Sequence, residues 1–358
     1  VNGPQRLVLQ ATTADRATAR RAWRELVDTH DLADLWDDEV YRQLPLVWHR
    51  LGDDVGAEHV DRLKGSYRKA WVTNQHLVRH GGEVVEALRA DGIEPLLVGG
   101  APVGRLFYED PATRPLRSVG LLVRPAQAAA TWRRLEALGY RSGSAPPTVR
   151  SSWRREPDDD WYRRVGRPRP FDRGTLDVIQ VHTTLAPELV TADPEVADVS
   201  DLWDRAVGVD LGEVAASTLS PTDHLFRALL LGWSGSGADV GLRRLVDART
   251  IVDRAGVDGA VLAGTALRHR CGRLVGDRIA ELDRAMAAGG SSGGREWLAA
   301  RLRGRSSAAA ELVTTTRGLG PVATVARVPD FFVDRWQLAR RRHLPLVVAQ
   351  QLRHRLRH

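Results

Sequence analysis

Two short stretches carry residues whose spacing suits phosphate chemistry. The first, "IEPLLVGGAPVGRLFYED" (93–110), reads as a strand, the glycine pair Gly99-Gly100 and a helix. Glycines after a strand let the backbone approach a phosphate, and the helix that follows turns its first N–H groups toward the anion. The second, "RPLRSVGLLVRP" (114–125), reads as a strand entered from a polar turn, with Leu121, Leu122 and Val123 apolar and Pro125 ending the run. A site that transfers a nucleotidyl group needs two carboxylates one residue apart beside such a loop. Strand side chains alternate, so both then point to one side. There they hold one or two divalent cations against the phosphates. The second stretch has no acidic residue at all. A third strand candidate, "TLDVIQVHTTL" (175–185), carries Asp177, Gln180 and His182. Gln180 and His182 share a strand face, whereas Asp177, three positions away, falls on the other.

The elements around these stretches follow from periodicity. Residues 14–90 have apolar side chains at three-and-four spacing and read as helices, with Gly92 as a stop signal. "AQAAATWRRLEALGY" (126–140) is an amphipathic helix ended by Gly139, and "LSPTDHLFRALLLGW" (219–233) opens with Ser220 and Pro221, a helix-start pattern, with Asp223 three residues beyond the serine. On this reading Asp223 and His224 are first-turn helix residues. The region from there to about residue 285 reads as helical. Residues 143–173 lack periodicity and read as a long loop whose "EPDDDW" (156–161) is either a solvated acidic run or a cation ligand. "AAGGSSGGRE" (287–296) reads as a flexible linker. Trp23, Trp48, Trp71 and Trp132 fall on helical faces and are assigned to the core. Strands alternating with helices imply an α+β core. The expected organisation is a helical segment over 1–90, the α+β core over 91–190, a helical domain over 191–288, and a linker with a basic helical tail over 289–358.

Composition narrows the classes further. The 358 residues suffice for more than one domain, and 43% apolar with 27% charged residues is ordinary for a globular protein. No run of eighteen apolar residues occurs, so no transmembrane helix is expected. Nor does the first segment have a signal-peptide pattern. Cys271 is the sole cysteine, which leaves no intrachain disulfide and no cysteine-based zinc site. A bacterial, cytoplasmic protein is the simplest expectation. The net charge is +7. Seven arginines lie between Arg335 and His358 with no acid among them, and without them basic and acidic residues are equal in number. The basic excess thus belongs to the tail. That argues against a protein that coats nucleic acid as a whole and for at most a local anionic contact. The tail either meets nucleic acid or an anionic membrane surface, or docks its apolar centre and leaves its arginines solvated.

Taken in order, seven words resemble the bacterial uncharacterised nucleotidyltransferase family of the polymerase-β-like superfamily: "LPLVWHRL" (44–51), "SYRKAWVTNQHL" (66–77), "DGIEPLLVGGAPV" (91–103), "LFYEDPATRPLRSVGLLV" (106–123), "LEALGY" (135–140), "LWDRAV" (202–207) and "LSPTDHLFRALL" (219–230). The resemblance spans roughly residues 5–255. It implies a nucleotidyltransferase-like mixed sheet and a nucleotide ligand. It also places this chain's departures. Gly99 stands where the family has a lysine before a glycine. Ser118, Val119 and Gly120 stand at its Asp-x-Asp. Gln180 stands at its third acidic position, while His182 matches the family histidine. Arg114 also matches, and either braces its loop through a salt bridge or faces a phosphate. The family's histidine in a later helix has no counterpart in "LLLGW", where Gly232 stands.

Serine, glycine and glutamine supply no anionic oxygen for magnesium. A metal contribution worth several kcal/mol would then be missing, about three or more orders of magnitude in rate. The resulting expectation is a pseudo-nucleotidyltransferase with a binding or regulatory role, no required cofactor, and ligand contacts at Gly99, Gly100, Arg114, Ser118, Gln180 and His182. Its partner is a nucleotide, a peptide or a protein, and the resemblance implies a setting in specialised metabolism. The alternative is an active transferase using Mg²⁺ held by Asp177, Glu109 or Asp110. A third reading makes the chain an adaptor that contacts nucleic acid or membrane through 335–358.

Overall fold

The computed structural model describes residues 3–32, 38–142, 168–174, 177–185, 199–230, 241–269 and 271–287. Helices α1 (Gly3–Thr13), α2 (Arg16–Thr29), α3 (Asp38–Tyr41), α4 (Leu44–Leu51) and α5 (Ala57–Ala90) come first. Then follow β1 (Leu96–Val98), α6 (Gly100–Phe107), β2 (Val119–Leu122), α7 (Ala128–Ala137), β3 (Arg141–Ser142), β4 (Arg169–Arg173) and β5 (Asp177–His182). Helix α8 (Asp201–Asp204), strands β6 (Val207–Leu211) and β7 (Val214–Thr218), and helices α9 (Pro221–Leu230), α10 (Gly241–Arg254), α11 (Gly259–Arg268) and α12 (Gly272–Ala287) complete the described chain. The architecture is α+β, as the sequence predicts.

The strands form one mixed sheet in the order β3-β4-β5-β2-β1-β7-β6. At its centre β1 is antiparallel to β2 and parallel to β7, and β2 is parallel to β5. The central strands bury both faces, so they read as unbroken apolar runs. Leu97, Val119, Leu121, Ile179 and Val181 pack against Leu77, Val84, Val85 and Leu88 of α5 and Trp132 and Leu135 of α7. Helix α5 comes close to the sheet through Gly81: a Cβ there would lie 2.9 Å from a Val119 methyl. Mid-helix glycine is unfavourable by itself, so close packing explains its use here. Leu96, Val98 and Leu122 face the other way, into a cluster shared with Leu7, Trp23 and Leu44 of the first helices and Phe226, Leu245 and Ile251 of the later ones. Two helical regions far apart in sequence thus meet over one face of the sheet.

Three local readings change. Residues 207–218, inside the span 191–288 read as helical, form the β6–β7 hairpin at one edge of the sheet. Its two-residue loop begins at Gly212, with φ +69°, the usual place for glycine in such a turn. Residues 169–173, assigned to the loop 143–173, form β4. Only Phe171 supplies it with a fully buried apolar side chain, so it has no alternating signal to read. Trp71 is 49% exposed and not in the core, unlike Trp23 and Trp132, which are buried. "EPDDDW" and the tail 335–358 lie outside the described residues.

Candidate functional site

Strand register brings the singled-out residues together. Val98 pairs with Gly120 across β1–β2, and Gly120 pairs with Gln180 across β2–β5. These three positions therefore form a row across neighbouring strands. Ser118 lies just before β2 on the same parity, and His182 is one step farther along β5, opposite Leu122. Gly99 and Gly100 follow Val98 directly. Gly99, Gly100, Ser118 and Gln180 are all half-buried and so reach solvent, whereas Gly120 and His182 are buried.

The glycine pair is needed for two different reasons. Gly99 caps α6 with φ +79° and ψ −140°, a backbone region that side chains rarely enter. Gly100, the first helical residue, sits against Arg114: a Cβ there would press on the guanidinium and lie 2.8 Å from Leu116 Cδ2. Gly120 has no more room, since its Cβ would stand 2.6 Å from the Val98 carbonyl oxygen. The row thus offers a peptide backbone, a serine hydroxyl and a glutamine amide, and no carboxylate. A divalent cation held between protein and phosphates does not fit this donor set.

Arg114 braces its loop. Its Nε donates to Asp247 Oδ1 at 2.9 Å and its Nη2 to Oδ2 at 2.6 Å, with both side chains almost wholly buried. Tyr108 donates its hydroxyl to the same Oδ1 at 2.7 Å. Burial and then the Asp247 charge push the Tyr108 hydroxyl well above its ordinary value. Burial pulls the other way on Arg114, but Asp247 more than offsets it and the guanidinium ends up raised. The loop is also clamped from α5. Asn74 donates to the Pro111 and Arg114 carbonyls at 2.9 and 3.1 Å and accepts the Leu116 N–H at 2.8 Å. Tyr67, two turns earlier, donates to Asp110 Oδ2 at 2.6 Å.

Of the alternative metal carboxylates, Asp110 and Glu109 have other partners. Asp110 accepts the Tyr67 hydroxyl and, capping the following turn, the Ala112 N–H at 2.8 Å. Glu109 pairs with Arg254 and with His49. Asp177 begins β5, opposite Arg173. Among the described residues no group of three or more His, Cys, Asp or Glu side chains is placed to share a metal ion.

Behind the row lie two buried histidines. His182 Nε2 is 3.5 Å from Arg227 Nη2, and burial and then the Arg227 charge hold its pKa well below the ordinary value. Arg227 also donates Nη1 to the Leu185 carbonyl at 2.9 Å. His224 is held by Thr218. The Thr218 hydroxyl donates to the Leu97 carbonyl at 2.6 Å, so at 2.9 Å it accepts from His224, whose proton therefore sits on Nε2. Burial and then Arg227 lower His224 to about 3. Asp223, read as a first-turn residue, accepts Arg205 Nε and Nη2 at 2.6 and 2.8 Å and the Ser220 hydroxyl at 2.6 Å. Both are first-turn residues of α9, and both are fully buried.

Sequence reasoning missed Asn74, Tyr67, Arg227 and Asp247. A polar Asn74 seven residues after Tyr67, on one face of a helix, was a signal that both meet something inside. Asp247 had none, because its partner Arg114 lies 133 residues away.

Comparison with known proteins identifies the family. The model of the uncharacterised nucleotidyltransferase family matches residues 39–279, a span from α3 into α12 that holds the whole sheet. No curated protein matches the chain. The chain belongs to the uncharacterised nucleotidyltransferase family.

Proposed function

We propose that this member of the family is a catalytically degenerate nucleotidyltransferase that binds a ligand, most simply a nucleotide, without a metal ion and acts as a binding or regulatory protein. One observation carries the reading: the row Ser118, Gly120 and Gln180 is neutral, and the Gly120 position has no space for a side chain. The parts that hold phosphates without metal remain. The first N–H groups of α6, at Gly100 and Ala101, have no intrahelical acceptor by position and favour an anion. Ser118 and Gln180 supply neutral donors at the rim. An active transferase relying on Glu109 or Asp110 is disfavoured by the bonds those carboxylates already make.

The test is thermal unfolding of the protein with each nucleoside triphosphate, with and without Mg²⁺ or Mn²⁺. A ligand that binds only the folded state raises the melting temperature by mass action. The proposal expects a shift that does not depend on the metal, and no turnover. A shift that requires the metal, or release of pyrophosphate, refutes it.

A further inference from the structure

The long helix α5 has one face turned to the sheet and another that meets nothing described. Lys64, Arg68, Trp71, Gln75 and Arg79 are all exposed, and they follow one another at steps of four, three, four and four residues. That spacing aligns them in a single stripe on the helix, about 22 Å long at 1.5 Å per residue. Val72 and Lys69 flank it, with Val72 59% exposed. From Arg62 to Gly82 the helix has no acidic residue. Acids bound the stretch on both sides, Asp61 before it and Glu83 after it, where Glu83 pairs with Arg79 at 3.4 Å. Lys64, Arg68 and Lys69 make no ion pair among the described residues. A tryptophan half open to water in the middle of such a stripe is not explained by the fold, because α5 already buries Leu77, Val84, Val85 and Leu88 against the sheet.

We infer that this face of α5 binds single-stranded nucleic acid, with Trp71 stacking on an unpaired base and Lys64, Arg68 and Lys69 meeting phosphates. Cations along a line with an aromatic plate among them are what such binding uses, since stacking accepts any base and the charges follow the backbone. A membrane surface fits less well, because an interfacial helix needs a broad apolar face and here only Trp71 and Val72 are apolar and exposed. An acidic protein fits less well too. A tryptophan that anchors a protein interface is ringed by contacts that exclude water, and the neighbours of Trp71 along the stripe are charged or polar. The inference is independent of the nucleotide reading of the glycine-loop site.

Lys64 and Lys69 are the chain's two lysines, which makes a direct experiment possible. The protein is treated with an amine-acetylating reagent with and without a twelve-nucleotide oligouridylate, and acetylation is read by mass spectrometry. In parallel, fluorescence anisotropy of the labelled oligonucleotide is measured between 50 and 200 mM salt. The expected result is protection of both lysines. Trp71→Ala should weaken binding by about five-fold to a hundred-fold, and Trp71→Phe by much less. Arg68→Gln should reduce the slope of log K against log salt by about 0.7. Equal melting temperatures of the variants separate these effects from misfolding. Equal affinity of Trp71→Ala and the parent would overturn the inference. So would lysine protection by polyglutamate or by phosphatidylserine vesicles but not by the oligonucleotide.

Discussion

Replacing Asp247 by Asn tests the brace that sets the site loop. Asparagine keeps the volume and still offers Tyr108 an oxygen. It removes the charge facing Arg114, whose side chain is 7% exposed, and turns amide hydrogens toward a guanidinium that stays cationic. Breaking a buried ion pair by removing one partner costs about 3–5 kcal/mol. At about 2 °C per kcal/mol, the figure for larger domains, the melting temperature should fall by roughly 6–10 °C. The companion variant Arg114→Met/Asp247→Asn removes the stranded cation and should regain most of that loss. The same pair predicts a coupling: Gly100→Ala forces a methyl group onto the Arg114 guanidinium, so it should destabilise the parent more than the Arg114→Met protein. Circular dichroism during thermal and urea unfolding reads all of these. If Asp247→Asn stays within about 0.5 kcal/mol of the parent, a range typical of surface substitutions, or if the double variant is no better than the single one, the reasoning about Arg114 is wrong.

Other outcomes follow from the same geometry. Gly99→Lys, which places the residue expected from the resemblance, should lower stability by about 1–3 kcal/mol because of its positive φ, and urea midpoints would show it. Asn74→Ala strands two carbonyls and one N–H in the buried loop, at about 1–3 kcal/mol for each group left unsatisfied, and should loosen residues 110–116 in hydrogen exchange. Stability should also fall on mild acidification. Burial holds the folded-state pKa of His224 at about 3 and that of His269, the buried residue that caps the end of α11, at about 4, both below their ordinary 6.5. The unfolded chain therefore takes up protons first. Stability present above about pH 6.5 is lost as the pH falls toward those values, at roughly 1.4 kcal/mol per pH unit for each histidine. Urea midpoints at pH 7.5, 6.5 and 5.5 that do not move would contradict this.

The sequence disclosed the sheet centre and the row better than the edges. β1, β2 and β5 are short apolar runs bounded by glycine, proline or polar turns, and the two-residue alternation that joins Gln180 to His182 also aligns Ser118 with Gly120. Edge strands were hidden. β4 takes its place through backbone pairing around Phe171, and β6–β7 through a hairpin of two five-residue strands that sits between segments of helical periodicity. The role of Arg114 depends on Asp247, 133 residues away, which no local pattern specifies, and that of His224 on Thr218, six residues earlier at the end of β7. Trp71 misled for a related reason: a tryptophan at helical spacing is read as core, and only the docking of α5 on its Gly81 face decides which side of the helix is buried.

The placement of β1 sets an order of events during synthesis. Leu96 pairs with Leu122 on one side, a near neighbour in the chain, but with Ser217 on the other. At about 5–20 residues per second, the ribosome needs roughly 6–24 s to make the strand that covers that second edge. Helix α10, which completes the opposite layer, arrives later still, since its Leu245 and Ile251 share a core with Leu7 and Trp23 of the first helices. For that interval a fully apolar strand destined for the centre of the sheet has one open edge. A nascent chain of this protein stalled before residue 218 should be a substrate for holdase chaperones, and one stalled well beyond α12 should not.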